Sequence, residues 1–339
     1  MEINFEHLQS AHCENGVTRS LLKNIGVHQI TEPLAFGIGA GLFFVYIPLI
    51  KINNGPMIAF RTMPGDIFKR TCKALSIPVV RKKFTSKEQA QVFLNECLAA
   101  GHPVGCQVGV YYLPYFPKEY RFHFNAHNLI VYGREEDKYL ISDPVMENVA
   151  SLSSYELERV RFAKGVLAPR GQIYYPKTGM LVTDEQMKKA IINGIEKSIR
   201  NMLQIPMPVV GVKGIRYTGN KIKKWRHKLG LKQAGLYLAQ LVRMQEEIGT
   251  GGGGFRYIYA AFLQEAHAYH PIDELLEISK MITNSGDLWR TAAVQAAGIY
   301  KGRRIGSQED FNVMGDYLLE IAEMERQAFI ALSKIKWRP

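Results

Sequence analysis

The sequence predicts an α+β domain followed by an all-helical domain. Short apolar runs typical of strands alternate with short helical patterns up to about Tyr175. From about Asp184 onwards, apolar residues recur every three to four positions, which is typical of helices that pack together. A chain of 339 residues usually folds as two domains, and we place them at residues 1–178 and 179–339.

Three helices are predicted in the first domain. Glu14 to Ile25 has apolar residues on one side and ends at Gly26, and a capping box at Thr85-Ser-Lys-Glu88 precedes another helix. The three helices are Glu14–Ile25, Pro64–Leu75 and Ser86–Ala99. The predicted strands are Met57–Arg61, Val79–Phe84, Pro103–Leu113, Asn128–Tyr132, Tyr139–Ser142 and Gln172–Tyr175.

The second domain contains helical patterns only. The last of them shows apolar residues close to a 3.6-residue period. The predicted helices are Asp184–Leu203, Lys221–Leu229, Lys232–Ile248, Phe255–Tyr269, Ile272–Thr283, Leu288–Tyr300 and Glu309–Lys334.

The composition is that of a globular protein, with 47% hydrophobic and 22% charged residues. Four cysteines are too few for a disulfide framework, so a reducing, cytoplasmic location is expected. The polar N-terminal segment lacks the features of a secretory signal. The most apolar stretch, Leu34 to Ile50, contains three glycines and a proline, and we expect a buried core segment there and no membrane span.

The basic residues are concentrated in one segment. The chain has a net charge of +12, and Lys177 to Lys232 contains thirteen Lys or Arg residues against three acids. Such a surface suggests an acidic partner: a nucleic acid, an anionic lipid or an acidic protein. Tyr217 and Trp225 are the only aromatic residues in the segment that could stack on bases, which argues against nucleic acid.

Three residues have the types and positions of a cysteine nucleophile with its base and orienting acid. Cys13 begins the first predicted helix, where free backbone amides and the helix dipole stabilise a thiolate. His127 stands directly before a strand, and Asp143 follows the next one. A hairpin of these strands brings His127 and Asp143 to the same end, where the carboxylate can hold the imidazole in one tautomer.

This order of residues resembles papain-like cysteine enzymes, and more closely the butirosin-pathway BtrH-like acyltransferase family. The motifs that carry the resemblance are His12-Cys13-Glu14, Tyr112-Leu-Pro-Tyr115, Asp143-Pro144 and, in the second domain, Gly249 to Tyr259. Together they cover nearly the whole chain. The resemblance implies a papain-like catalytic domain fused to a helical domain.

The resemblance also implies an activity, which is amide formation in antibiotic biosynthesis. Such enzymes take an acyl group from a carrier-protein thioester onto a cysteine and pass it to an amine or a diamine, as in the similar closthioamide enzyme. The nucleophile corresponds to Cys13, the base to His127 and the orienting acid to Asp143. No cofactor is implied, because the acyl group arrives on the phosphopantetheine arm of an acyl or peptidyl carrier protein.

Two further groups are predicted to contact the substrate. Papain-like enzymes usually carry an oxyanion-hole glutamine six residues before the cysteine; this chain has His7 there, and Gln9 is the alternative. The glycine loop before the Phe255 helix can hold an anion such as a phosphopantetheine phosphate, or it is a tight connection between helices. The predicted contacts of that loop are Gly251, Gly252, Arg256 and Tyr259.

Other functions remain open at this point. The same triad serves a cysteine peptidase or a thioesterase, in which water is the acceptor. A non-catalytic, basic nucleic-acid-binding module is the alternative from another class. No spacing of cysteine or histidine residues predicts a metal site.

Overall fold

The computed structural model describes residues 3–52, 55–177 and 181–337 of the chain. Those residues combine antiparallel sheets with helices in the first part and form helices after Asp184. The predicted fold class, an α+β domain followed by an all-helical domain, is confirmed. The predicted boundary between residues 178 and 179 lies outside the described residues.

Contacts along the chain divide it into two compact units. The first unit comprises Met1–Ala35 and Ile67–Thr183, and the second comprises Phe36–Asp66 and Asp184–Pro339. The helical unit therefore also includes a segment from the N-terminal part of the chain, Phe36–Asp66, which the sequence analysis did not predict.

The elements follow in chain order. The helices are α1 (Cys13–Asn24), α2 (Glu32–Ile38), α3 (Asp66–Ala74), α4 (Lys87–Ala99), α5 (Ser154–Arg161), α6 (Asp184–Ile199), α7 (Gly211–Val242), α8 (Arg256–Tyr269), α9 (Glu274–Tyr300) and α10 (Gln308–Lys334). The strands are β1 (Leu42–Ile52), β2 (Gly55–Arg61), β3 (Val79–Lys82), β4 (Val104–Val108), β5 (His127–Glu135), β6 (Lys138–Ser142), β7 (Ala150–Ser153) and β8 (Ile173–Pro176).

A six-stranded antiparallel sheet forms the centre of the first unit. Its strand order is β3-β8-β4-β5-β6-β7. One face packs on α4 and α5, where Leu94 and Leu157 join Leu129 and Val131 of β5 in a buried core. Because neighbouring residues of a strand point to opposite faces, Asn128 of β5 points to the other face. That face packs on α1 and α3.

The second unit is built around buried aromatic residues. Trp289 of α9 is fully buried. Its ring centroid lies 5.9 Å from that of Phe44 in β1 and 5.1 Å from that of Phe60 in β2. Leu34 to Ile50, predicted as a buried core segment, supplies most of α2 and of β1; the prediction is wrong at its end, where Leu49 and Ile50 are exposed. No helix among the described residues combines the length and apolar character that crossing a membrane requires.

Several predicted element ends are wrong, each for a local reason. Two predicted helices are one continuous helix, α9, because Gly286 packs closely instead of breaking it; a Cβ there would lie 2.9 Å from Cε1 of Tyr257. Helix α7 begins at Gly211, ten residues earlier than predicted, and its kink is at Gly230, which has a φ of 73°. The cap of α4 is Ser86, whose hydroxyl accepts from the amide of Gln89, where Thr85 was expected.

Candidate active site

Cys13 is the first residue of α1, and the residue before it caps the helix. The Nδ1 atom of His12 accepts a hydrogen bond from the backbone amide of Asn15 at 3.4 Å. Cys13 is buried and 7% exposed. A sulfur at this position faces the free amides and the positive end of the helix dipole, which favour its thiolate form.

The segment before Cys13 is held by two anchors. The carboxylate of Glu32 accepts the backbone amides of Ala11 at 3.0 Å and His12 at 2.8 Å. The amide of Ser10 donates to the carbonyl of Pro144 at 2.6 Å, directly after Asp143. The approach to the helix is therefore fixed both to the start of α2 and to the turn after β6.

Helix α1 lies very close to that turn. A Cβ added at Gly16 would lie 2.5 Å from Cβ of Pro144 and 2.6 Å from Oγ of Ser10. Real side chains do not approach so closely, so this contact requires glycine. The close approach brings the first turn of α1 to the residue that follows Asp143.

His127 and Asp143 form the pair that the hairpin predicts. His127 is the first residue of β5, and Asp143 follows the last residue of β6. The Nε2 atom of His127 lies 2.7 Å from Oδ2 of Asp143, and the side chains are 6% and 0% exposed. Since Nε2 is engaged by the carboxylate, Nδ1 is the ring nitrogen left for Cys13, with which His127 also forms a hydrogen bond.

Three more groups surround this pair. Tyr115 donates its phenol proton to Oδ2 of Asp143 at 2.9 Å. The amide of Val145 donates to Oδ1 at 3.3 Å. The ring of Phe116 packs edge-on against His127, with 5.4 Å between the centroids. Hydrogen bonds thus fix the position of the carboxylate, and packing holds the imidazole in place.

The surroundings favour an ion pair between Cys13 and His127. Burial alone would raise the pKa of the Cys13 thiol, but His12 and His127 together lower it well below the ordinary value. Burial alone would lower the pKa of His127, but the charges of Asp143 and Cys13 raise it to about 10. Both shifts favour the thiolate form of Cys13 and the imidazolium form of His127.

Asn128, the residue after His127, places its amide beside the sulfur. Its Nδ2 atom lies 3.9 Å from Sγ of Cys13 and donates to the carbonyl of Ala126 at 3.1 Å. Its Oδ1 atom accepts the phenol proton of Tyr174 at 2.7 Å. The side chain is buried, with 2% of its surface exposed.

The pKa values of the other three cysteines are raised. Burial raises the pKa of the Cys72 thiol to about 12 and that of the Cys106 thiol to about 11. The pKa of Cys97 is also raised, chiefly by burial. Of the four cysteines, Cys13 alone has a lowered pKa.

His7, at the position of the usual oxyanion-hole glutamine, and Gln9, the predicted alternative, both have other contacts. The ring nitrogens of His7 contact Oγ of Ser142 at 2.8 Å and the carbonyl of Met146 at 3.1 Å, so both are engaged. Gln9 is exposed, and its backbone carbonyl accepts a hydrogen bond from Arg19 at 3.1 Å. The role of Gln9 in an oxyanion hole stays a prediction.

The glycine loop belongs to the helical unit. Gly249 and the four glycines from 251 to 254 all have positive φ, a conformation that favours glycine. The amide of Gly252 donates to Oγ1 of Thr250 and that of Gly253 to Oε1 of Glu246, both at 3.1 Å. The phosphate contact predicted for Gly251 and Gly252 stays a prediction.

The two side chains predicted beside that loop have other surroundings. Arg256 is fully buried and pairs with both carboxylate oxygens of Glu325 at 2.9 Å. Ser285 and Trp289 donate to the same carboxylate at 2.7 and 3.0 Å. Tyr259 is also fully buried. In this structure Arg256 and Tyr259 contribute to the core of the helical unit.

Sequence reasoning missed Asn128, Glu32 and the capping role of His12. Only Asn128 and His12 could have been found from the sequence, because they are the direct neighbours of His127 and Cys13 in the chain. Glu32 gave no signal, because its contact depends on where α2 begins relative to α1. No cluster of histidine, cysteine or acidic side chains suited to a metal ion occurs in the part of the chain that the structure describes.

Comparisons with known proteins match both parts of the chain. Residues 12–144 match the family model of butirosin biosynthesis protein H, N-terminal, and residues 155–332, more than half of the chain, match a domain of unknown function, DUF4872. The crystal structure of a C39-like peptidase from Bacillus anthracis aligns with a TM-score of 0.37 and 14% identity, over 53% of this chain and all of that one. No curated protein matches the chain.

Proposed function

This chain belongs to the DUF4872 family and also matches butirosin biosynthesis protein H, N-terminal, and we propose on that premise that it transfers an acyl group from a carrier-protein thioester to an amine. The proposal places the protein in the broader class of papain-like cysteine enzymes. The observation that supports the proposal best is the buried contact between Cys13 and His127, with Asp143 held 2.7 Å from the imidazole. Such a pair activates a sulfur for attack on a carbonyl.

The first step forms an acyl-enzyme. The Cys13 thiolate attacks the carbonyl carbon of the thioester, the bond to the carrier's sulfur breaks, and His127 gives its proton to the departing thiolate. One thioester replaces another, so the exchange is close to neutral in free energy. The acyl group is then a thioester of Cys13.

The second step forms the amide. A neutral amine attacks the Cys13 thioester, and His127, now without its extra proton, accepts one from the attacking nitrogen. The carbon–sulfur bond breaks, and Cys13 returns to the thiolate. An amide is more stable than a thioester, so the step is favourable without ATP, and the sequence contains no phosphate-binding GxxxxGK[ST] loop.

We propose that the carrier protein docks on the basic segment of α7. Carrier proteins of such pathways are typically acidic beside the phosphopantetheine arm, as the family resemblance implies. The segment includes Lys221, Lys223, Lys224, Arg226 and Lys228, and Lys224 and Lys228 are exposed. Exposed pairs stabilise a complex weakly one by one, but together they speed encounter.

Intact-mass measurement after incubation with acyl-loaded carrier proteins tests the proposal. The expected result is a mass increase equal to the acyl group on the wild type and none on Cys13→Ala. Addition of candidate amines and diamines should then release the acyl group as an amide. Release as the free acid at the same rate with and without amine would identify a thioesterase instead. The absence of any adduct from every acyl-loaded carrier would contradict the proposal.

A further inference from the structure

We infer that Asn128 supplies the side-chain hydrogen-bond donor for the oxyanion that forms on the acyl group at Cys13. The inference rests on the acyl-enzyme chemistry of the proposed function. An acyl transfer needs a donor at that point, because attack on the carbonyl places a negative charge on its oxygen. Gln9, the side chain predicted for this role, is exposed and leaves the role open.

The amide of Asn128 is oriented by its neighbours. The carbonyl of Ala126 can only accept a hydrogen bond, so the atom that lies 3.1 Å from it must be the nitrogen Nδ2. The phenol of Tyr174 then donates to Oδ1 at 2.7 Å. Burial, together with the nearby charges of Glu14 and Cys13, raises the pKa of Tyr174 well above its ordinary value, so the phenol keeps its proton as a donor.

One hydrogen of Nδ2 is left, and it faces the sulfur. Nδ2 carries two hydrogens, of which one goes to Ala126; the contact with Sγ of Cys13 at 3.9 Å uses the second. The carbonyl oxygen of a bound acyl group is only two bonds from this sulfur. A donor fixed beside Sγ is therefore within reach of the oxygen on which the charge develops.

The position of Asn128 in the strand explains why it can take this role. His127 and Asn128 are consecutive in β5, so one backbone segment fixes the base and this donor together. Asn128 is 2% exposed, so water does not compete for its amide. Tyr174 is a positioning residue, because it acts on the amide and not on the reacting atoms.

Two reagents separate this role from a general effect on the thiolate. Acylation by p-nitrophenyl acetate proceeds by attack of the thiolate on the acetyl carbon, with negative charge on the carbonyl oxygen, and ends with loss of p-nitrophenolate. Alkylation by iodoacetamide displaces iodide from carbon and forms no oxyanion. An oxyanion donor therefore affects the first reaction and leaves the second nearly unchanged.

We expect Asn128→Ala to lower the rate constant of acylation by about a hundredfold or more, with iodoacetamide alkylation changed only a few-fold. Tyr174→Phe should lower the rate constant of acylation by a smaller factor. This variant tests the role of Asn128 even if Asn128→Ala does not fold. The matched controls are Asn95→Ala and Tyr139→Phe. Tyr139 of β6 donates to Oδ1 of Asn95 in α4, also at 2.7 Å and in the same unit. Both controls should leave the two reactions unchanged.

Equal losses in acylation and alkylation would overturn the inference, since Asn128 would then act on the thiolate alone. Unchanged acylation in both Asn128→Ala and Tyr174→Phe would overturn it too. So would a wild type that is alkylated at Cys13 but not acylated above the Cys13→Ala background. Acylation that depends on Asn128 without amide formation from any carrier and amine would support this inference while contradicting the proposed function.

Discussion

Tyr115 donates a hydrogen bond to Oδ2 of Asp143 at 2.9 Å, the same oxygen that lies 2.7 Å from Nε2 of His127. The loop before β5 therefore helps to fix the Asp143 carboxylate beside His127. Tyr115 belongs to the Tyr-Leu-Pro-Tyr motif, so this contact gives the motif a physical role.

Replacing Tyr115 by phenylalanine should lower the stability more than the activity. The variant loses a hydrogen bond to a buried carboxylate, which typically costs about 1.5–3 kcal/mol. Asp143 still forms its hydrogen bond with His127, so the rate of Cys13 acylation should fall by less than about tenfold. Urea unfolding and acylation rates measure the two effects. Tyr111→Phe, in the same loop but 43% exposed, is the control and should change neither; a loss of acylation as large as that of His127→Ala would contradict this account.

The pH dependence of acyl transfer should be bell-shaped. On the acid side the rate falls as the pH drops through the lowered pKa of Cys13, because the thiolate gains a proton. On the basic side it falls as the pH rises through about 10, because His127 loses the proton that the leaving thiolate needs. Stopped-flow rates with a small thioester over a wide pH range measure both limbs.

Asp143→Asn should narrow this bell. The charge of Asp143 raises the pKa of His127, so its removal moves the basic limb to lower pH and, by weakening the imidazolium, the acid limb to higher pH. The rate at the optimum should fall by less than in Cys13→Ala or His127→Ala, because Asp143 transfers no proton itself. Limbs that stay at the wild-type pH values would show that Asp143 does not tune the pair.

Labelling of the native protein with limiting iodoacetamide at pH 7 should occur at Cys13 alone. Its thiolate is present there, whereas burial raises the pKa of Cys72 to about 12 and that of Cys106 to about 11. Peptide mapping by mass spectrometry identifies the labelled site. Alanine variants of Cys72, Cys97 and Cys106 should each keep one label, and Cys13→Ala should keep none. Label on the Cys72 peptide of the folded wild type would contradict the prediction.

The proximity of Cys13, His127 and Asp143 can be predicted from the sequence because their positions are tied to local patterns. A helix start, a strand start and a hairpin each have a recognisable signature, so Cys13, His127 and Asp143 could be placed together without coordinates. The contacts of Glu32 and Asn128 depend on how α1 and α2 lie against the sheet, which no local pattern encodes. The assignment of residues 36–66 to the helical unit is missed for the same reason.

Gly16→Ala should destabilise the protein and slow the reaction of Cys13. The added Cβ would meet Pro144 at 2.5 Å, so α1 or the turn after Asp143 must shift, at a typical cost of about 1–3 kcal/mol. Gly235→Ala is the matched control: its Cβ meets Tyr300 at 3.8 Å, an ordinary contact, and alanine favours a helix by up to about 1 kcal/mol. Thermal unfolding and alkylation rates test both, and equal effects of the two substitutions would contradict the close approach.

Reversing the charge of Lys223, Lys224 and Lys228 to glutamate should lower kcat/KM for a carrier-bound donor and leave a small thioester unaffected. Added salt should act in the same way on the wild type, since ions screen charges beyond about 8 Å at physiological ionic strength. Reversal of Lys280, Lys301 and Arg303 to glutamate gives the same change in net charge elsewhere on the helical unit and is the control. Unchanged carrier kinetics in the first variant would rule out α7 as the docking surface.

His127 and Asp143 are sixteen residues apart on one hairpin, whereas the Cys13 sulfur meets the Asn128 amide across 115 residues of chain. A hairpin closes a short loop and forms readily, but contacts of such separation form only as the whole unit condenses. A nascent or partly unfolded chain therefore carries an ordinary, weakly nucleophilic thiol. Cys13 becomes strongly nucleophilic only when the protein reaches its native state. The alkylation rate of Cys13 therefore reports the fraction of native molecules in a refolding sample.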